Sequence, residues 1–285
     1  MKIITLVENT SSSKGLNSEH GLSLYIETKK HTLLFDLGAS SLFVENANKL
    51  NINLSKVDLV VISHGHYDHG GGLKAFLEAN SKAKIYLNKE AFSGHYSLRP
   101  NGEKAYIGLD TKLMHNDRFI FVGDHLRIDQ ELELFSNINS GKLISTGNQN
   151  LLMKLGSAFV QDNFIHEQNL VIKEAGKLLL LVGCAHNGIV NIVEHISEVE
   201  KKPMDYVIGG FHLYNFSANS NEDPALVSQI GERLKKIGST YYTCHCTGIE
   251  SYKKLKETMG DKIHYLSTGS TLTIFTRNDY THSYN

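Results

Sequence analysis

Residues 64–72 read HGHYDHGGG, which puts three imidazoles and one carboxylate within six positions and follows them with three glycines. Neutral imidazole nitrogens and carboxylate oxygens are the donors that borderline cations such as zinc prefer. His64 and His66 stand two apart just past an apolar run, and in an extended stretch that spacing turns both side chains to one side. Asp68 and His69 follow where the chain turns, and can point to a second position nearby. One loop can therefore feed two cations about 3.5–4 Å apart. The glycines let the backbone turn tightly and pack close to the site. A histidine-rich polar loop is the alternative, but it does not explain why the cluster follows a buried strand so directly.

Four donors do not complete two cations, so further ligands must come from far along the chain. VGCAHNG, at 182–188, offers Cys184 and His186 after another apolar run; if extended there, the two face the same way. TCHCTG, at 243–248, offers His245, and the same alternation turns Cys244 and Cys246 away from it. His212, in GGFHLYN, is a candidate ligand, proton donor or contact to a substrate oxygen. His95, His166 and Glu167 are candidates for a third ligand of the first cation. Arg99 and Lys104, in LRPNGEKAYIG, are candidates to hold an anionic group such as phosphate. His20, His31, His115, His125, His195, His264 and His282 carry no partner pattern and are read as structural or surface.

The elements that must position these residues are legible as apolar runs. Strands are expected near 2–7, 21–28, 31–36 and 57–63. The last, VDLVVIS, is apolar throughout, as strands buried on both faces are. NLVIK and KLLLLVGC read as a strand pair, with DYVIGG, TYYTC and TLTIF as later strands. Helices are expected in SLFVENANKL, GGLKAFLEAN, GIVNIVEHISEVE, DPALVSQIGERLKKIG and IESYKKLKETMG. Asp223 is a good N-cap, Pro224 suits the first helical position and Gly238 stops that helix. Residues 88–150 read as a loop-rich insertion in a single domain spanning 1–285.

The chain has 285 residues, 41% hydrophobic, with a net charge of -1 and no long block of one sign. Nucleic-acid and membrane-surface partners lose support from that balance. The longest apolar run, LLLLV at 178–182, is far short of the roughly 18 residues of a membrane span. Three cysteines without a ladder of spacings argue against a disulfide framework and for a reducing, cytoplasmic setting. Neither GxGxxG nor GxxxxGK[ST] occurs, so nucleotide folds built on them are disfavoured.

The loop SHGHYDHGG, preceded by LLFDLGAS at 33–40, resembles the signature of the metallo-β-lactamase superfamily. The resemblance implies an αββα sandwich: an α/β fold of two facing mixed β-sheets with outer helices and a metal site at one edge. It implies His64 and His66 on one metal, Asp68 and His69 on the other, and Asp36 as the aspartate supporting them. The bridging aspartate that usually follows a glycine at a strand end is replaced here by Cys184, so Cys184 or His186 fills that side. GCAHNGIVNI, GGFHL and HCTG in succession resemble one subgroup, that of dihydropterin-methyl ribofuranosylaminobenzene phosphate synthase.

The expected cofactor is a pair of divalent metal ions, zinc first, with manganese or iron as alternatives. The expected activity is hydrolysis of a phosphoester or related bond in a small-molecule, possibly phosphorylated, substrate. Asp68 would hold a metal and orient the attacking water, and His212 would donate a proton to the leaving group. The subgroup implies a second activity, transfer of a pterin methyl group from its diphosphate to a ribofuranosylaminobenzene phosphate. A third is iron-dependent redox chemistry.

Overall fold

The computed structural model of the chain describes residues 1–139 and 141–275; His282 lies outside them. The apolar runs form two seven-stranded sheets. The first runs, in spatial order, Thr271–Thr273, Lys2–Val7, Ser23–Glu27, Thr32–Phe35, Leu59–Val61, Lys84–Asn88 and Phe119–Val122. The second runs Ile263–Tyr265, Thr240–Thr243, Tyr206–Gly209, Lys177–Leu181, Gln168–Glu174, Leu132–Ser136 and His125–Arg127. Each sheet is half parallel and half antiparallel.

Six α-helices cover the outer faces or carry the site: α1 Leu42–Lys49, α2 Tyr67–Gly70, α3 Leu73–Ala79, α4 Ile189–Val199, α5 Pro224–Ile237 and α6 Ile249–Met259. Strand alternation explains why the runs are apolar at every position. Leu33 and Phe35 enter the core between the sheets, together with Leu179 and Leu181 of the second sheet. Leu34 faces the other way, onto Phe43 and Ala47 of α1 and Leu73 and Phe76 of α3. Leu178, Leu180 and Val182 pack against Ile192 and Val193 of α4, Ile230 and Leu234 of α5 and Leu255 of α6. The layer order is helix, sheet, sheet, helix, the αββα sandwich expected. Helix α5 begins as read: the Asp223 carboxylate accepts from the Ala225 amide, Pro224 is its first residue, and Gly238 ends it in the left-handed region at φ 91°.

Residues 88–150 differ from their reading as a loop-rich insertion. Phe119–Val122 is an edge strand of the first sheet, and His125–Arg127 and Leu132–Ser136 belong to the second. Gly94–Leu98 and Lys104–Tyr106 join Leu151–Leu155 and Ala158–Gln161 in a separate four-stranded sheet. Strands of three to five residues carry too few alternations to register as strands in sequence. Among the described residues, no helix is long and apolar enough to cross a membrane.

Leu59–Val61 is parallel to its neighbours in the first sheet, and Lys177–Leu181, Tyr206–Gly209 and Thr240–Thr243 are mutually parallel in the second. Ser63, Cys184, His212 and His245 all lie just past the carboxyl ends of these strands, where open α/β sheets place ligands.

Candidate metal centre

Asp36 ends the strand Thr32–Phe35 at φ 61° and is fully buried. That backbone is uncommon for a residue with a Cβ. Three hydrogen bonds to its carboxylate hold it: Ser63 donates its amide at 2.7 Å and its hydroxyl at 2.7 Å, and His69 its Nδ1 at 2.6 Å. The following loop is packed without slack. A Cβ at Gly65 would stand 2.3 Å from the Ala91 carbonyl oxygen and 2.9 Å from His95 Nε2, so only glycine fits between His64 and His66. His66 keeps an extended backbone and caps α2, which carries Asp68 and His69.

Three imidazoles form a first donor group. The rings of His64, His66 and His186 stand nearly perpendicular in pairs, with centroids 4.6, 4.9 and 5.1 Å apart. Their Nε2 atoms are buried and unpartnered. His64 Nδ1 lies 2.9 Å from Ser63 Oγ, whose proton goes to Asp36, so Nδ1 is the donor and Nε2 keeps its lone pair. His186 Nδ1 lies 3.0 Å from Asn148 Oδ1, which is fixed as an acceptor because Asn148 Nδ2 donates to the His186 carbonyl. Burial, reinforced by the neighbouring imidazoles, holds all three histidines well below the usual pKa and therefore neutral. Unanswered buried acceptors cost about 1–3 kcal/mol each. The donor atom of His64 lies within 4.8 Å of those of Cys184 and His186, and likewise of those of His66 and Asp68.

The second group is Asp68, His69, Cys184 and His245, whose donor atoms lie within 4.8 Å of one another. His69 Nε2 is 3.1 Å from both Cys184 Sγ and His245 Nε2, and Asp68 Oδ2 is 3.5 and 3.2 Å from those two imidazoles. His245 donates Nδ1 to Asn9 Oδ1 at 2.8 Å, leaving Nε2 facing the group. Burial opposes a charge on His69, but the carboxylates of Asp36 and Asp68 outweigh it and lift its pKa to about 9. A place that holds a proton so firmly also suits a metal cation. Two nitrogens, a carboxylate and a sulfur are a donor set for zinc or iron rather than magnesium.

Three expectations are corrected. Glu167 is not among the donors of the first group, where His186 stands with His64; His95 and His166 stand with His66 and Asp162, their donor atoms within 4.8 Å of one another. His166 Nδ1 accepts from the Gly65 amide at 2.9 Å, so its hydrogen sits on Nε2, facing Asp162 at 3.4 Å. His95 is bound to the same carboxylate at 2.9 Å. Both lie behind His66 and brace it. Glu167 accepts from the His186 and Asn187 amides and fixes the turn that aims His186. Second, Cys246 is not turned away. His245, at φ 51°, begins a tight 3-10 turn that ends the alternation and brings Cys246 beside Cys184 and His212, with Sγ, Sγ and ring nitrogen within 4.8 Å. Cys244 alone goes into the core between the sheets. Third, Lys104 does not reach the site; it is exposed on the four-stranded sheet, its Nζ 5.0 Å from the Phe159 ring centre.

Over the two groups lies a cleft open to solvent and lined by Asp68, Cys184, His186, His212 and Arg99 among others. Arg99 is steadied by a hydrogen bond to Ser217 Oγ. The His212 ring lies 4.2 Å from that of His186, and both its nitrogens are buried without a partner. The sequence reading missed His20. Its ring stacks on Phe216 at 3.9 Å, Asn9 Nδ2 donates to its Nδ1, and its Nε2 faces Asp68 at 3.3 Å. Burial lowers its pKa to about 4 despite that carboxylate, so it is a neutral donor to Asp68. Nothing in HGL at 20–22 signals this, since the contact is made only by the fold. Asn9 and Asn148, which set the tautomers of the His245 and His186 rings, were equally silent.

The sequence profile of the metallo-beta-lactamase superfamily matches residues 17–113. The 7,8-dihydropterin-6-methyl-4-(beta-D-ribofuranosyl)-aminobenzene-5'-phosphate synthase of Methanocaldococcus jannaschii is 30% identical over 294 residues, covering 95% of this chain and 96% of that protein. An uncharacterized protein of the same organism is 29% identical over 274 residues, covering 88% and 93%. The crystal structure of a metal-dependent hydrolase of the beta-lactamase superfamily superposes with a TM-score of 0.81 at 33% identity, covering 96% of this chain and 99% of that one. Similarity that runs the length of the chain, on the two-sheet frame described above, makes this protein a member of the metallo-β-lactamase superfamily, with the fold of its metal-dependent hydrolases.

Proposed function

We propose that this protein is a two-metal hydrolase of a small phosphoester. One observation carries the reading. Four histidines from three distant segments, His64 and His69, His186, and His245, each give Nδ1 to a fixed partner and turn Nε2 to one buried centre beneath an open cleft. His64, His66 and His186 would hold one cation, and Asp68, His69, His245 and Cys184 the other. Bound there, the cations would supply Lewis acidity to a phosphoryl oxygen and acidify water. Asp68, whose Oδ2 lies 3.2–3.5 Å from His20, His69 and His245, is held still enough to orient a nucleophile. Arg99 offers a guanidinium to an anionic group in the cleft. His212, unpartnered at the cleft wall, is the proton donor to the leaving group. The buried, free cysteines favour a reducing compartment, the cytoplasm.

The test is metal content per chain, followed by turnover on phosphomonoesters and phosphodiesters. About two equivalents and metal-dependent phosphate release are expected; no metal uptake after reconstitution rejects the reading. His212→Ala should lower kcat by about 10²–10⁴-fold while leaving metal content intact. An unchanged kcat removes His212 from the chemistry.

The 30% identity to the synthase supports a second reading, transfer of a pterin methyl group with loss of diphosphate. There Arg99 would hold the diphosphate and the acceptor ring would take the place of water. Incubation with both substrates discriminates: a condensed product supports transfer, and hydrolysed pterin alone supports hydrolysis.

A further inference from the structure

Cys184 and Cys246 leave different strand ends, 62 residues apart in sequence, and meet on the cleft wall. Their sulfurs lie within 4.8 Å of each other, and Cys246 Sγ is 3.8 Å from the Cys184 carbonyl oxygen. Gly210 admits the second sulfur: a Cβ there would stand 2.4 Å from Cys246 Sγ. Both thiols are free. Reaching the bonded separation of about 2.0 Å asks for an approach of at most about 2.8 Å. A small oxidant can reach both sulfurs through the cleft, whereas Cys244 is sealed in the core.

We infer that Cys184 and Cys246 form an oxidative modification site, joined as a disulfide by oxidants of the peroxide class. One sulfur, as thiolate, attacks a peroxide oxygen, breaks the O–O bond and becomes a sulfenic acid, with the first water leaving. The other sulfur displaces the hydroxyl as the second water. Two thiol hydrogens and two electrons pass to the peroxide, and one S–S bond forms. Because Cys184 Sγ stands 3.1 Å from His69 Nε2, the bond withdraws a thiolate from the second donor group. That consequence, unlike the modification itself, rests on the two-metal reading.

The experiment treats the full-length reduced protein, metal-free and metal-loaded, with hydrogen peroxide. In the metal-free arm, thiols counted after unfolding should fall from three to one, the mass should drop by two hydrogens, and peptide mapping should find Cys184 linked to Cys246. Dithiothreitol should restore all three thiols. Cys246→Ser should gain oxygen at Cys184 and lose no hydrogens. Three surviving thiols, oxygen addition without a link, or a link through Cys244 overturns the inference. In the metal-loaded arm, release of the second metal should keep pace with the disulfide. A disulfide formed with both metals retained leaves the modification site standing and rejects Cys184 as a ligand.

Discussion

The orientation of the candidate donor rings is set by residues that offer the centre no donor of their own. Each ligating imidazole has two nitrogens, and only the one without a hydrogen can hold a cation. Asn9 Oδ1 takes the hydrogen of His245 and Asn148 Oδ1 that of His186, at 2.8 and 3.0 Å. Removing such a partner frees the ring to rotate or to place its hydrogen on the metal-facing side, which typically lowers metal affinity 10–100-fold. On the two-metal proposal, Asn148→Ala and Asn9→Ala are therefore expected to weaken metal binding by about that factor, each at a different donor group. Competition with a chromophoric chelator reads both affinities; wild-type values in both variants would show that packing alone orients the rings. Asn9→Ala carries a second effect, because the same side chain donates to His20 Nδ1 and so directs His20 Nε2 at Asp68.

At the scale of elements, the 3-10 turn Thr146–Asn150 matters most, since it carries Asn148. It is tied down by Glu222, buried, which accepts from Ser145 Oγ at 2.9 Å, the Thr146 amide at 2.6 Å and the Asp223 amide at 2.9 Å. Burial opposes the charge, but these donors outweigh it and hold the Glu222 pKa below its ordinary 4.5. A carboxylate with a depressed pKa contributes stability that is complete above the ordinary value and is lost as the pH falls through the folded one. Glu222→Gln should destabilise by about 1–3 kcal/mol at pH 7, and the difference from wild type should shrink below about pH 4. Urea unfolding at pH 7 and pH 3 checks it; a difference that does not change with pH would mean that the charge of Glu222 is not what holds the turn. This tie was invisible in sequence, as was the trio of short strands after residue 118, because neither has a period. Where an unbroken apolar run or a cap exists, as in VDLVVIS or at Asp223, strand and helix were legible. The cluster of candidate donors at 64–69 was legible because they are contiguous, and the position of His186 just past a strand end was read as the structure has it. Cys246 was misread because alternation holds only while the backbone stays extended, and at His245 it does not.

The centre joins parts of the molecule that no strand pairing joins. His64, His66, Asp68 and His69 follow a strand of the first sheet, whereas Cys184, His186 and His245 follow strands of the second. Between these sheets the shared core is apolar and indifferent to direction, but at the edge the two loops meet with unpartnered nitrogens on both sides. Cations bound there would clamp one sheet to the other, and because an unfolded chain does not present these donors together, binding energy would become folding energy. At a free metal concentration 100 times its dissociation constant, one site adds about 2.7 kcal/mol. For a chain of this size that corresponds to a rise in Tm on the order of 5 °C. Chelation should lower Tm by at least that amount, and readdition of zinc should restore it. The double variant His64→Ala, His186→Ala, which removes donors from both sheets at the first group, should lose much of the response to chelator. A wild-type Tm indifferent to chelation would mean that the two loops are already held by their hydrogen bonds to Asp36, Glu167 and Asn9, and that any metal is a tenant of the site with no part in joining the sheets.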